Sequence, residues 1–207
     1  MVTKKISQIL TDSSPMIEAS IYTPENTTKE AIIYFHGGGL VFGQRDDLPL
    51  AYIEAFTNAG HPVITLDYLL APEVKLPTIL ATLKQTLEKT IEILPSWGFS
   101  SDYALMGRSA GSYLAALLIK EGFTPKHLIS FYGYYTLDVP AFRQPNPQYL
   151  VFPRVAPMEV EALIEQKPIV SGEMFKRYPI YLSGRQFGNW LPKILPSLRD
   201  VATFSLN

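Results

Sequence analysis

The order of hydrophobic and polar positions changes period along the chain. Ile17-Glu18-Ala19-Ser20-Ile21-Tyr22-Thr23 alternates apolar and polar residues and stops at Pro24, which predicts a half-buried strand near a sheet edge. Ala31-Ile32-Ile33-Tyr34-Phe35, Val63-Ile64-Thr65-Leu66 and Leu128-Ile129-Ser130-Phe131-Tyr132 are nearly continuous runs of β-forming residues, as expected of central strands covered on both faces. Tyr103-Ala104-Leu105-Met106 is a weaker fourth run. Between these runs the period lengthens. Leu76, Leu80, Leu83, Leu87, Ile91 and Leu94 recur at three- and four-residue spacing, so a helix from Leu76 to Leu94 lays one apolar stripe on a sheet. Pro77 sits near its start, where a missing N–H costs least. Strand and helix alternate, and the expected fold class is α/β with a mostly parallel sheet flanked by helices.

The texture changes after Gly133. Pro140, Pro145, Pro147, Pro153, Pro157 and Pro168 punctuate a stretch without strand alternation. Helical patterns are expected from about Pro157 to Ile164 and from Gly172 through Trp190. Such a stretch is either an irregular excursion packed on the domain or a lid over a pocket, and long loops are more often functional. The expectation is one domain over residues 1–207, with a core over about 1–135 and a lid-like insertion over about 136–195.

Composition narrows the function classes. With 47% hydrophobic residues in 207, the chain can bury one sizeable core. Eighteen basic against nineteen acidic residues leave a net charge of −1 and no dense basic run, so nucleic acid is not an expected partner. The chain has no cysteine, which excludes thiolate metal sites and a cysteine nucleophile. Its first ten residues lack the apolar centre of a signal peptide, and no apolar run approaches the roughly 20 residues that span a bilayer. A cytoplasmic protein without a membrane partner is the resulting expectation.

Two segments carry chemistry. Gly107-Arg108-Ser109-Ala110-Gly111 follows the Tyr103 strand and opens the apolar run Ser112 to Lys120, which Gly122 ends. Strand, sharp turn and helix form the setting of a nucleophile elbow, where small residues flank a serine that projects above the sheet. A glycine-bearing turn whose serine caps the helix would look the same. His36-Gly37-Gly38-Gly39 ends the Ala31 strand, so it emerges with Ser109 at the carboxyl edge of a parallel sheet. Three successive glycines let backbone N–H groups approach an oxyanion unhindered. A flexible turn would explain the glycines, though not their place after a buried strand.

With Asp67-Tyr68-Leu69-Leu70-Ala71-Pro72-Glu73 between them, these segments resemble the hormone-sensitive-lipase-like esterases of the α/β-hydrolase superfamily over about residues 17 to 135. The resemblance implies hydrolysis of small carboxylic esters through an acyl-enzyme on Ser109, with the oxyanion held by the N–H groups of Gly38, Gly39 and Ala110. It assigns His36, Gly37, Asp67, Gly107 and Gly111 to support of the site, and it implies no metal or cofactor. Three positions depart from the pattern: Leu69 stands where the family has Arg, Arg108 where it has Asp, and Ser112 where it has a second glycine.

The chain order of this superfamily is Ser, then acid, then His. Only His127 follows Ser109, and it precedes the Leu128 strand, roughly 20 Å from the catalytic edge at about 3.3 Å per residue. His61 precedes its strand too, and His36 introduces the oxyanion loop. Asp138 follows the last visible strand, whereas the family's acid follows a later one; Asp200 has no strand-end context. The expectation is therefore the amino-terminal part of a longer esterase, truncated before its acid and histidine and nearly inactive alone. A catalytically silent hydrolase-fold binding protein is the alternative from another class, and a peptidase or thioesterase would share Ser109. Loss of the last strands would expose a sheet edge, and self-association through that edge is expected.

Overall fold

The computed structural model describes residues 3–9, 11, 15–27 and 29–206. Part of the amino-terminal stretch weighed above as a leader, Met1, Val2 and Leu10 included, lies outside them. A six-stranded sheet forms the centre: β1 (Thr3–Ile9), β2 (Ile17–Thr23), β3 (Ala31–Phe35), β4 (Val63–Leu66), β5 (Tyr103–Arg108) and β6 (His127–Phe131), in the order β1-β2-β4-β3-β5-β6. The β4-β3-β5-β6 part is parallel, and β1 and β2 add two antiparallel strands.

Alternation along the strands splits the core in two. Ile33 and Phe35 face one cluster with α2 (Leu76–Ile93) and α3 (Ala110–Lys120); Ile32 and Tyr34 face a smaller one with Ile53 of α1 (Leu50–Asn58). Because both faces are covered, β3 is buried at every position, which is why its sequence reads as an unbroken apolar run. The stripe on α2 buries Leu76, Leu80, Leu83 and Leu87, each worth about 1.5–3 kcal/mol of apolar transfer.

Three expectations need correction. β2 lies near the sheet edge, one strand in, since β1 pairs with it from Thr3↔Thr23 to Ile9↔Ile17, but it is buried at five of its seven positions and not half-buried. Lys4, Lys5 and Gln8 make β1 too polar to announce itself, and such polarity suits an edge strand. β6 is no central strand: it is the last in the sheet, with His127, Leu128 and Ser130 exposed. The helix expected from Gly172 to Trp190 is two helices, α7 (Met174–Gln186) and α8 (Trp190–Ile194), after the shorter α4 (Pro140–Arg143), α5 (Pro147–Leu150) and α6 (Pro157–Glu161). Gly188, at φ 66°, turns the chain between α7 and α8, and Gly172 pairs with Gly43 as a bridge instead of starting a helix.

The segment after Gly133 is packed firmly on the sheet. Ile180, Trp190, Leu191 and Ile194 lie in the same buried cluster as Phe35 and Leu66. A buried ion pair joins Arg177 of α7 to Glu73 at 2.7 Å, and Arg177 Nε donates to the carbonyl oxygen of Val41.

Candidate active site

Ser109 sits between β5 and α3 with φ 52° and ψ −116°, a left-handed conformation that costs an L-residue of order 1–3 kcal/mol. Its side chain makes no capping hydrogen bond to α3, so helix capping does not account for the serine. A Cβ at Gly107 would strike the backbone of Gly111 and Ser112, and one at Gly111 would strike the Phe35 carbonyl. The turn therefore closes only with glycine at both places. Ser112, which stands where a second glycine was expected, donates at 2.6 Å to the carbonyl oxygen of Gly107 and ties the first turn of α3 back to β5.

The loop after β3 meets this turn. A Cβ at Gly37 would lie 3.5 Å from that of Ser109, so loop and serine are neighbours. Gly38, at φ 111°, turns the chain where any Cβ would strike the Phe42 carbonyl. Among the described residues, the N–H groups of Gly38 and Gly39 donate to no backbone carbonyl. The N–H of Ala110, as the first residue of α3, has no partner within its helix. A cavity of about 250 Å³ opens here, lined by Gly37, Gly38, Asp47, Arg108, Ser109 and Tyr132, with Met174 of α7 at its wall.

His36 lies beneath the loop and does not line the cavity. Its ring stacks on Tyr68 at 4.1 Å between centroids, and its Nδ1–H donates to the Gly37 carbonyl oxygen at 2.7 Å. Burial pulls its pKa down to about 4, so the ring is neutral, with Nε2 unpartnered among the described residues. Tyr68 donates to the His36 carbonyl oxygen at 2.9 Å. Asp67 is buried against Arg45, and burial raises its carboxyl to about 6 despite that cation. Its countercharge thus comes from position 45, while Leu69, where the family pattern has Arg, is buried in the core.

No base stands beside Ser109 among the described histidines. His61 Nδ1 bonds to the Glu30 carbonyl oxygen, and His127 lies 3.7 Å from the Glu30 carboxylate, so both belong to the amino edge of the sheet. No group of three His, Cys, Asp or Glu among the described residues gathers as metal ligands. Four residues that matter here escaped the sequence reading. Asp47 and Tyr132 line the cavity, and Arg177 and Trp190 hold neighbouring loops, Trp190 through a 3.1 Å bond to the Gly39 carbonyl oxygen. Tyr132 was visible only as the end of a strand, Asp47 lies in a segment with no period to place it, and Arg177 and Trp190 fall in the helical pattern from Gly172 through Trp190, which carries no sign of their distant partners.

The fold is that of known hydrolases. A family model described as the alpha/beta hydrolase fold matches residues 32–178, and the chain belongs to that family. The resemblance to its hormone-sensitive-lipase-like members agrees with the relatives found. "Lipase 2" of a Moraxella species is 33% identical over 102 residues, covering 49% of this chain and 24% of that protein. "Acetyl esterase" of Salmonella paratyphi B is 28% identical over 143 residues, covering 59% of this chain and 40% of that protein. The chain thus spans less than half the length of these curated relatives. An alpha/beta hydrolase superfamily protein from Enterococcus faecalis superposes with a TM-score of 0.82 at 30% identity, covering 99% of this chain and 73% of that one.

Proposed function

We propose that the chain carries the nucleophile and oxyanion donors of a serine hydrolase of small carboxylic esters. The observation that carries this reading is the conformation of Ser109. A strained serine that caps nothing, facing a cavity with the Gly37-Gly38 loop, has no structural purpose that a glycine would not serve better. The relatives' names, a lipase and an acetyl esterase, support the same class of reaction.

In the proposed mechanism the Ser109 hydroxyl adds to the ester carbonyl while a base takes its proton. The N–H groups of Gly38, Gly39 and Ala110 hold the tetrahedral oxyanion, the alcohol leaves with a proton, and water cleaves the acyl-serine by the same route. Turnover requires a histidine and an acid that the described residues do not bring to Ser109, so the proposal places full activity in a polypeptide that supplies both. Helical residues 136–195, with Met174 at the cavity, form the lid of this reading. The test is release of 4-nitrophenol from 4-nitrophenyl acetate by the product of the complete reading frame. Activity abolished in Ser109→Ala supports the proposal; an inactive protein, or a rate unchanged by Ser109→Ala, overturns it.

A second reading is a silent member of the family that binds a small molecule in the same cavity. What favours it is the distance of His61 and His127, both tied to Glu30, from the carboxyl edge. Ligand binding without turnover by that same complete product would establish it.

A further inference from the structure

Arg108 is the cation of the cavity. Its Nε donates to the Tyr132 hydroxyl at 2.6 Å and its Nη1 to the backbone carbonyl oxygen of Asp47 at 3.1 Å. Those bonds leave the Nη2 donors outside both. The nearest carboxylate, that of Asp47, stands 3.9 Å from Nη1, beyond hydrogen-bonding distance, and accepts instead from the Tyr34 hydroxyl at 2.6 Å. Arg108 is thus positioned by neutral acceptors, and its charge is only loosely matched.

The surroundings add to that sign. Ser109 precedes α3, an eleven-residue helix whose N-terminal dipole end is positive, and Gly38, whose N–H donates to no backbone carbonyl among the described residues, lines the same cavity. Asp47 is the one carboxylate among the residues lining the cavity. Tyr132 holds its place at φ 43°, a second strained residue at this edge, and its phenol fixes the guanidinium beside the nucleophile. The loop and helix donors serve the oxyanion of any ester, whereas the Arg108 guanidinium has no charge to meet on a neutral one. A carboxylate would accept a bidentate bond in a partly shielded place.

The geometry points to a substrate class: small esters that carry a carboxylate, held by Arg108 while Ser109 meets the ester carbonyl. This rests on the proposed ester hydrolysis and goes beyond it, because the preference is for an anion and can be read without turnover. Arg108 is a specificity residue in this scheme and takes no part in bond making.

The experiment uses the Ser109→Ala protein, which cannot form an acyl-enzyme, and measures dissociation constants by calorimetry. Monoethyl glutarate carries its carboxylate in the acyl part, acetoxyacetate carries it in the alcohol part, and ethyl pentanoate is the neutral control. The expected result is that one of the anionic esters binds at least about tenfold tighter than the control. The added substitution Arg108→Gln should erase that margin and leave the affinity for ethyl pentanoate unchanged. Equal affinities for the anionic and neutral esters, or a margin that survives Arg108→Gln, overturn the inference. Should Arg108→Gln fail to fold, salt decides in the Ser109→Ala protein: the margin must shrink at high ionic strength, and a salt-independent margin overturns the inference. An anion preference in a protein without esterase activity would leave carboxylate binding at Arg108 standing while the proposed hydrolysis, and the substrate class with it, falls; hydrolysis without preference would overturn this inference alone.

Discussion

The indole Nε1–H of Trp190 donates to the carbonyl oxygen of Gly39 at 3.1 Å, across 151 residues of sequence. The Tyr181 ring lies where a Cβ of Gly39 would be, so α7 and α8 together fix the loop whose N–H groups we assign to the oxyanion. Trp190→Phe should keep the packing and lose the bond, leaving a buried carbonyl unpaired at a cost of about 2 kcal/mol. The expected outcome, in the product of the complete reading frame, is a lower urea midpoint together with slower labelling of Ser109 by a fluorophosphonate. Unchanged labelling would show that the loop holds itself.

Among the described residues Arg177 and Glu73 form the deepest ion pair, with side chains 6% and 1% exposed, and join α7 to the loop after Tyr68. Removing one partner strands a charge. Arg177→Ala should cost about 3–5 kcal/mol, while Arg177→Met combined with Glu73→Gln should recover most of it. Chemical denaturation of the three proteins checks this. A single-variant cost under about 1 kcal/mol would mean that water reaches Glu73.

How much of this was legible in the sequence depended on burial. β3 and β4 appeared with their observed bounds because central parallel strands are apolar on both faces, and α2 because one stripe is buried. β1 was invisible because an edge strand may be polar throughout. The elbow and glycine loop could be read because their backbone geometry demands glycine locally. Arg45, Asp47, Arg177 and Trp190 could not, because their partners are 22 to 151 residues away and set by tertiary packing alone.

Strain at Ser109 makes a prediction of opposite sign. At φ 52° and ψ −116°, glycine avoids the Cβ penalty, although it gives the unfolded chain more entropy. Ser109→Gly is expected to be more stable than Ser109→Ala by about 1 kcal/mol. Thermal midpoints of the two variants test it. An equal or lower midpoint for the glycine variant would remove strain from the argument for a nucleophile.

The outer edge of β6 pairs with no strand among the described residues, and Leu128 on it is 42% exposed. Beside it Ala116, Ile119, Leu128 and Leu206 line an apolar hollow against α3. Self-association of this chain through that edge is the expected outcome, weakened by Leu128→Lys. Light scattering across a concentration series measures it, and a monodisperse monomer throughout counts against the edge as an interface.

Two buried groups set opposing pH dependences. Burial lowers His36 from 6.5 to about 4, so the unfolded chain binds more protons in that window and stability falls as pH drops through it, by about 3 kcal/mol. Asp67 does the reverse. Burial raises its carboxyl from 3.8 to about 6, so the folded chain binds more protons there and stability rises as pH drops, by a similar amount of about 3 kcal/mol. In the wild-type protein the two offset each other. Asp67→Asn removes one side, and its stability should fall more steeply than wild type from pH 6.5 to pH 4, by about 2 kcal/mol. Urea denaturation of both proteins across that range reads the difference directly, and parallel curves would mean that Asp67 is ionised in the folded protein throughout.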